Sequence, residues 1–348
     1  MPSRRTLSLC LLAGLAVALP AAEEKKPAVE SSAVAIEVQK DVIEFRHGKS
    51  VTARYHVAPT VAKPYFWPLN SPSGTPLTRP WPMKKDAPGE KTDHPHQKSA
   101  WFCHGDVIPE GVEVKQKIKG VEGVDFWSEN VGHGRIVVTK VGDPLVKGNH
   151  GTVRTLNEWQ TADGMKILDE TRVIHYYDLG AAQLLVFDID LTASVCPITF
   201  GDTKEGSLGV RVREALTEER GKGVLTNADG HVTEGKAGNK DMKGCWGVLS
   251  AWCDDSGPVQ DKTVGVAIFA DPNNPQPTCW HSRGYGLMAA NPFGRDKAGF
   301  PALKGKKDLV KMAKGEHLKM RYGILVHDGD VKAGKVAELY QEFVKLGK

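Results

Sequence analysis

Period-two alternation, repeated along most of the chain and broken by short Gly/Asp turns, is the feature that most constrains this sequence. Residues 33–38 and 50–57 alternate apolar and polar side chains. The pattern returns at 112–118, 134–141, 152–160, 166–176, 182–192, 208–212, 244–252, 263–271 and 319–327. Successive strand side chains face opposite ways, so each such segment makes one apolar face and one polar face. Ala162-Asp163-Gly164, Asn227-Ala228-Asp229-Gly230, Asp254-Asp255-Ser256-Gly257-Pro258 and His327-Asp328-Gly329-Asp330 supply the reversals between them. The pattern predicts an all-β fold, a large antiparallel β-sandwich with its sheets packed face to face. Only the C-terminus has a helical period. Val336, Leu339, Tyr340, Phe343 and Val344 share one face, predicting a short helix that covers a sheet edge or face.

With 348 residues, 40% of them hydrophobic, the chain can bury a large core, and it shows neither an internal repeat nor a change of composition. Residues 33–348 therefore read as one domain. The net charge is only +4, without a dense basic stripe, so nucleic acid is not an expected partner. Arg4-Arg5, an apolar run from Leu7 to Leu19 and the exit Pro20-Ala21-Ala22 have the layout of a secretory signal. This assigns 1–22 as signal peptide and 23–32 as a polar linker, and sends the mature protein to the periplasm or the exterior. The apolar run is shorter than the ~20 residues of a membrane helix, and no transmembrane segment is expected. Five cysteines follow the signal: Cys103, Cys196, Cys245, Cys253 and Cys279. An odd count without C-x-x-C reads as buried free thiols. Cys245 and Cys253, if on one strand, would stand about 26 Å apart.

The chemistry gathers first in Asp93-His94-Pro95-His96-Gln97-Lys98-Ser99-Ala100-Trp101-Phe102-Cys103-His104-Gly105-Asp106. His is the side chain most easily poised between donor and acceptor near neutral pH. In extended backbone His94 and His96 point the same way, and His104 can join them across a turn. Such a group suits proton transfer on a sugar ring, hydrogen bonds to hydroxyls, or metal ligation. A second segment, Cys279-Trp280-His281-Ser282-Arg283-Gly284-Tyr285-Gly286-Leu287 with Asn291-Pro292-Phe293-Gly294, combines a guanidinium fork with flat aromatic faces, as in the lining of a polar cleft. Glu205, before the strand at 208–212, is a candidate general base or metal ligand. Asp125-Phe126-Trp127-Ser128-Glu129 and His133 are placed on the rim of the same region. Asp169-Glu170-Thr171-Arg172 is a candidate cross-strand salt bridge. Asp188 and Asp190 share a strand face, where they suit either Ca²⁺ or Arg partners. No G-x-S-x-G, Walker A, H-E-x-x-H or post-strand G-x-G-x-x-G motif occurs, which disfavours serine hydrolases, nucleotide triphosphatases, zincins and Rossmann dehydrogenases.

Tyr65-Phe66-Trp67-Pro68-Leu69, Pro76-Leu77-Thr78-Arg79, Asp93-His94-Pro95-His96, Trp101-Phe102, His104-Gly105-Asp106 and Val124-Asp125-Phe126-Trp127 resemble the secreted bacterial family described as PmoA-like, or methane oxygenase PmoA. So do Lys204-Glu205-Gly206, Asn273-Asn274-Pro275, Trp280-His281 with Arg283, Tyr285-Gly286-Leu287 and Asn291-Pro292-Phe293-Gly294. The resemblance runs from about Ala33 to the C-terminus and implies a family common in bacteria that degrade complex polysaccharides. Gln97-Lys98 departs from the usual His-Arg, which puts a ligand contact by a third histidine in question. The methane monooxygenase subunit of that name is a multi-helix membrane protein, and this chain lacks a spanning stretch, so methane oxidation is read as a label inherited by name. The His, Glu and Arg-Tyr clusters on a large sandwich look more like the galactose mutarotase type of supersandwich. That likeness implies a sugar held in an open cleft, with His and Glu as acid and base.

The expected function is thus that of an exported carbohydrate-active protein acting on a sugar, glycan or uronic acid. His94, His96 and His104 would move protons and Glu205 would be the base. Trp101, Asp106, Trp280, His281, Arg283, Tyr285 and Asn291 would bind the substrate, with Trp101 or Trp280 stacking on it. Two alternatives accompany it. One is a divalent metal ion on His94, His96, His104 and Asp106. The other is a glycan-binding module without turnover.

Overall fold

A computed structural model describes residues 34–233 and 244–346; the segments read as signal peptide (1–22) and linker (23–32) lie outside the described residues. Two large antiparallel sheets face each other. The first has eight strands in the order Val34–Val38, Val42–His47, Ser50–His56, Tyr65–Leu69, Ala100–His104, Gly206–Arg211, Leu287–Asn291 and Cys279–Trp280. The second, with ten, runs Val232–Thr233, Val224–Asn227, Trp252–Val259, Lys262–Ala270, His317–Asp328, Ala182–Thr192, Lys166–Asp178, His150–Gln160 and Arg135–Val141, with Leu145–Lys147 paired to His150–Gln160. A three-stranded sheet of Val310–Met312, Ile198–Phe200 and Val107–Pro109 completes the strands. The predicted antiparallel sandwich is the architecture observed.

Alternation explains how both faces of the large sheet are covered. On Lys262–Ala270, Val264, Val266 and Ile268 point into the inter-sheet core, while Ala267 and Phe269 point outward. On His317–Asp328, Tyr322, Ile324 and Val326 face inward and Leu325 outward. The outward set receives helix Val336–Lys345 through Val336, Tyr340 and Phe343, so the helix covers a sheet face. Between the sheets, Phe66 meets Phe187 edge-on at 5.5 Å, and the Thr52 and Tyr176 hydroxyls are 2.6 Å apart. Among the described residues no helix is long and apolar enough to cross a membrane.

Several expectations need correction. Residues 112–118 do not pair as a strand and run as loop, with Val114 buried. The expected strand at 244–252 begins only at Trp252 and continues to Val259, through the Asp254–Pro258 segment read as a turn. Asp254 and Ser256 belong inside the sheet because they are partnered there: Asp254 binds His327 at 2.8 Å, and Ser256 donates to Asp254 at 2.8 Å. The reversal falls instead at Gln260-Asp261, where Gln260 takes a φ of 57°. Cys245 consequently lies ahead of the strand, not on it, and its thiol donates to the His231 carbonyl at 3.3 Å. Cys103, Cys196, Cys245, Cys253 and Cys279 are all buried. Arg172 pairs with Glu170 along its own strand and not across strands. Asp188 is bound by His175 and Arg321, and Asp190 by His317.

Candidate active site

The His loop departs from the sandwich after Arg79 and returns at strand Ala100–His104. Two fully buried arginines fix its path. Arg79 donates to Asp93 at 2.6 Å and to the His94 carbonyl at 2.9 Å. Arg211, from strand Gly206–Arg211, donates to the same Asp93 oxygen at 3.1 Å and to Gln97 Oε1 at 2.6 Å. Burial works to raise the Asp93 pKa, but Arg211 and Arg79 outweigh it and hold the carboxyl below its ordinary value. Asp93 Oδ2 in turn lies 3.3 Å from His94 Nδ1, which orients the imidazole and leaves Nε2 for chemistry. His94 stacks on Tyr285 at 5.2 Å and 10°, and the Arg211 guanidinium lies 4.5 Å from the other partner of that stack, the Tyr285 ring. The loop from 93 to 97 and the turn at 283–286 are thereby packed together, although they lie far apart in sequence.

A cleft of about 400 Å³ opens between them. His94, His96, Glu205, His281, Arg283 and Tyr285 line it, with Gln97, Asp125, Trp127, Ser128 and Lys204. Burial pushes His96 and His281 down to about 3, helped by the positive charges of Lys63 and Arg283 respectively. Both imidazoles are therefore neutral at pH 7. His281 Nδ1 lies 2.8 Å from the Lys204 carbonyl; it donates there, so Nε2 is its acceptor. Burial also raises Glu205, with Asp125 adding to the shift and Lys204 opposing it. The cleft thus combines neutral imidazoles with a carboxyl displaced towards its protonated form. That is the equipment of general acid–base chemistry.

Several expected site residues serve behind this surface instead. His104 is fully buried against Phe293 and Phe200, with Nε2 2.9 Å from the Gly201 carbonyl. Strand geometry decides this: His104 pairs with Gly206, and its ring fills the space that a β-carbon on Gly206 would enter. Trp101 is buried over Gly209, where a β-carbon would come within 2.8 Å of its ring, and it supports Trp127 edge-on at 5.0 Å. Trp280 is buried and donates to the Ser250 carbonyl at 2.9 Å, so neither of these two indoles reaches a ligand. Asn291 is buried too; it donates to the Thr203 and Lys204 carbonyls at 3.0 and 3.1 Å, holding the backbone that presents Glu205. Asp106 accepts from the Gly123 amide at 2.7 Å and lines a neighbouring hollow of about 230 Å³, which shares Lys204 and Glu205 with the cleft. His94, His96, His104 and Asp106 do not converge, and among the described residues no group of three or more His, Cys, Asp or Glu could hold a metal ion.

Asp125, Trp127 and Ser128 do lie at the cleft, as their expected rim position implies. Asp125 accepts from the Trp127 and Ser128 amides at 2.7 and 3.0 Å, which turns the chain so that Trp127 faces the site. Sequence reasoning missed Trp246. Its ring carries the Arg283 guanidinium at 3.6 Å and meets His281 edge-on at 5.2 Å. Nothing about an isolated Trp after Cys245 marks it; the signal is purely tertiary.

Comparison with known proteins places the chain among incompletely understood relatives. No curated protein sequence matches it. Solved structures are similar in part. The GH36 α-galactosidase AgaB from Geobacillus stearothermophilus has a TM-score of 0.43 at 8% identity over 86% of this chain, which spans 42% of that enzyme's length. A putative aldose 1-epimerase from Escherichia coli K12 has a TM-score of 0.38 at 11% identity, covering 80% of this chain and 96% of its own. A galactose mutarotase-like protein from Lactobacillus casei ATCC 334 scores 0.34 at 12% identity, covering 84% and 100%. The matching family model carries no activity in its description. Because that model spans residues 42–341, the chain belongs to the family of unknown function DUF6807.

Proposed function

We propose that the protein is an exported, sugar-handling enzyme whose cleft transfers protons on a polyhydroxylated ligand. The observation that carries this reading is the convergence of His94, His96, Glu205, His281, Arg283 and Tyr285 on one polar cleft of sugar-ring size. Neutral imidazoles accept or donate hydrogen bonds to hydroxyls without the desolvation cost of a charge. His94, oriented by Asp93, is the natural base, and Glu205, with its raised pKa, the natural acid. Trp127, held by the Asp125 turn and buried between His281 and Trp101, backs the cleft and fixes the His281 ring. His104, Trp101, Trp280 and Asn291 act as positioning residues.

The test is a thermal-unfolding screen of the purified chain against neutral, amino and acidic sugars and short oligosaccharides. A saturable rise in Tm with at least one of them is expected. It should vanish in His281→Ala and persist in a variant of an exposed residue far from the cleft, such as Lys345→Ala. A well-folded sample indifferent to the whole panel would overturn the reading. A variant Glu205→Gln that still binds but no longer turns the ligand over would assign catalysis; equal turnover by that variant would remove Glu205 from the mechanism. General acid–base groups contribute on the order of 10²–10⁴-fold, so the expected loss of rate lies in that range.

A further inference from the structure

Resting on that reading of the cleft, we infer that its ligand is a sugar bearing a carboxylate, a uronic acid, and that Arg283 is the residue that binds the acid group. Several arginines elsewhere in this fold are paired with carboxylates. Arg79 and Arg211 are tied to Asp93, Arg172 to Glu170 and Arg321 to Asp188. Arg283 lines the cleft, yet among the described residues no carboxylate lies within ion-pair distance of it. Its guanidinium lies 3.6 Å from the centre of the Trp246 ring. Stacking occupies the face of the guanidinium and leaves its N–H edge as a rigid two-pronged donor. That edge matches the two oxygens of a carboxylate, which it can bind bidentately.

The seat of Arg283 is fixed as well. Its amide donates to the Leu287 carbonyl at 2.8 Å, and the Gly286 amide donates back to its own carbonyl at 2.9 Å. Gly286 closes this turn with a φ of 96°, where a β-carbon would approach Thr217 and Val212 to 2.8 Å. The side chain therefore starts from a determined backbone and ends on an indole, so little rotamer freedom remains to be lost when an anion binds. Burial disfavours its charge, and Tyr285 and Glu205 only partly compensate. A half-buried cation without a counter-ion is stabilised by an incoming anion more than a solvated one would be.

The surrounding charges narrow the class of anion. Asp125 lines the same cleft together with Glu205, which adds negative charge only in its ionised form, whereas His96 and His281 add no positive charge at neutral pH. A phosphate dianion meets those carboxylates with twice the charge of a single carboxylate. Lys204 stands 3.9 Å from Glu205 and offsets part of that negative charge. A flat monoanion on a polyhydroxylated ring fits both the fork and the balance of charge.

The experiment is calorimetric titration of the full chain with D-galacturonate and D-glucuronate. The comparison ligands are D-galactose, D-glucose, the methyl esters of both uronates and D-galactose 6-sulfate. At least one uronate is expected to bind tenfold or more tightly than its own methyl ester. Arg283→Met should bring the two within about twofold, and Arg283→Lys should retain part of the preference. An ester or neutral parent that binds as tightly as its uronate overturns this inference and leaves the sugar reading standing. Tighter binding of the 6-sulfate overturns the choice of carboxylate. Failure of every ligand overturns this inference and the sugar reading together.

Discussion

Replacing Arg172 with leucine is expected to destabilise the fold by about 3–5 kcal/mol, the cost of stranding a buried charge by removing its partner. Arg172 and Glu170 are both almost completely buried between the sheets, with Nε 2.5 Å from the Glu170 carboxylate. Glu170 also accepts from the Trp159 indole at 2.8 Å, and Arg172 donates to the Tyr55 hydroxyl at 2.5 Å. Leucine would leave Glu170 buried with one neutral donor. The expected double variant, Glu170→Gln with Arg172→Leu, recovers a large part of the loss, because it removes the stranded charge along with the pair. Denaturant unfolding of the two variants and the wild type measures both quantities. A single-variant loss below about 1 kcal/mol would show that water reaches the pair and that it is no part of the core. The effect should reach the cleft, since the Arg172 guanidinium lies 5.3 Å from the Phe102 ring, in the middle of the strand that carries the His loop back into the sandwich.

The contrast between this pair and the cleft shows what alternation reveals and what it hides. Segments such as 152–160, 166–176 and 182–192 were legible because the inter-sheet core imposes a period of two, and the structure extends each by no more than a few residues. The Asp254–Pro258 segment misled for a physical reason. Asp and Gly favour turns only when no partner satisfies them in the sheet, and here His327 and Ser256 do. Strand Ala100–His104 was invisible because all five of its residues are buried and no period shows. The candidate site follows the same division. The aromatic, imidazole and guanidinium residues of two distant segments announced a polar cleft, and five of them meet there. Composition cannot say which side of a strand a residue takes, so His104 and Trp280 read like ligand contacts while they were wall. Trp246 and the Arg79–Asp93–Arg211 clamp come from packing alone, and only coordinates bring them together.

His104 also sets an expected acid limit on stability. Its Nε2 donates to Gly201, while Nδ1 has no hydrogen-bond partner and rests where a β-carbon on Gly206 would come within 2.5 Å of it. A proton on Nδ1 would face glycine backbone with no acceptor. Burial accordingly pushes the His104 pKa down to about 4, with Arg295 adding to the shift and the Gly201 bond opposing it. The sign follows from proton uptake. Above the ordinary value near 6.5 the imidazole is neutral in both states and contributes no slope. Between there and about 4 the unfolded chain binds a proton that the folded chain refuses, so stability falls as the pH falls, by about 1.4 kcal/mol per pH unit from this residue. The whole window is worth about 3 kcal/mol. His96 and His281, shifted the same way, extend the decline to lower pH. His327 acts in the opposite sense: Asp254 overcomes burial and raises it, so its contribution is present below 6.5 and fades as the pH rises through its raised value. His104→Gln keeps a donor for Gly201 but removes the titration. Denaturant unfolding at pH 7 and pH 4 should therefore show the gap between wild type and variant narrowing by about 3 kcal/mol as the pH drops. Parallel curves would mean that His104 is protonated as readily inside the fold as outside it, and that the wall behind Glu205 is open to water.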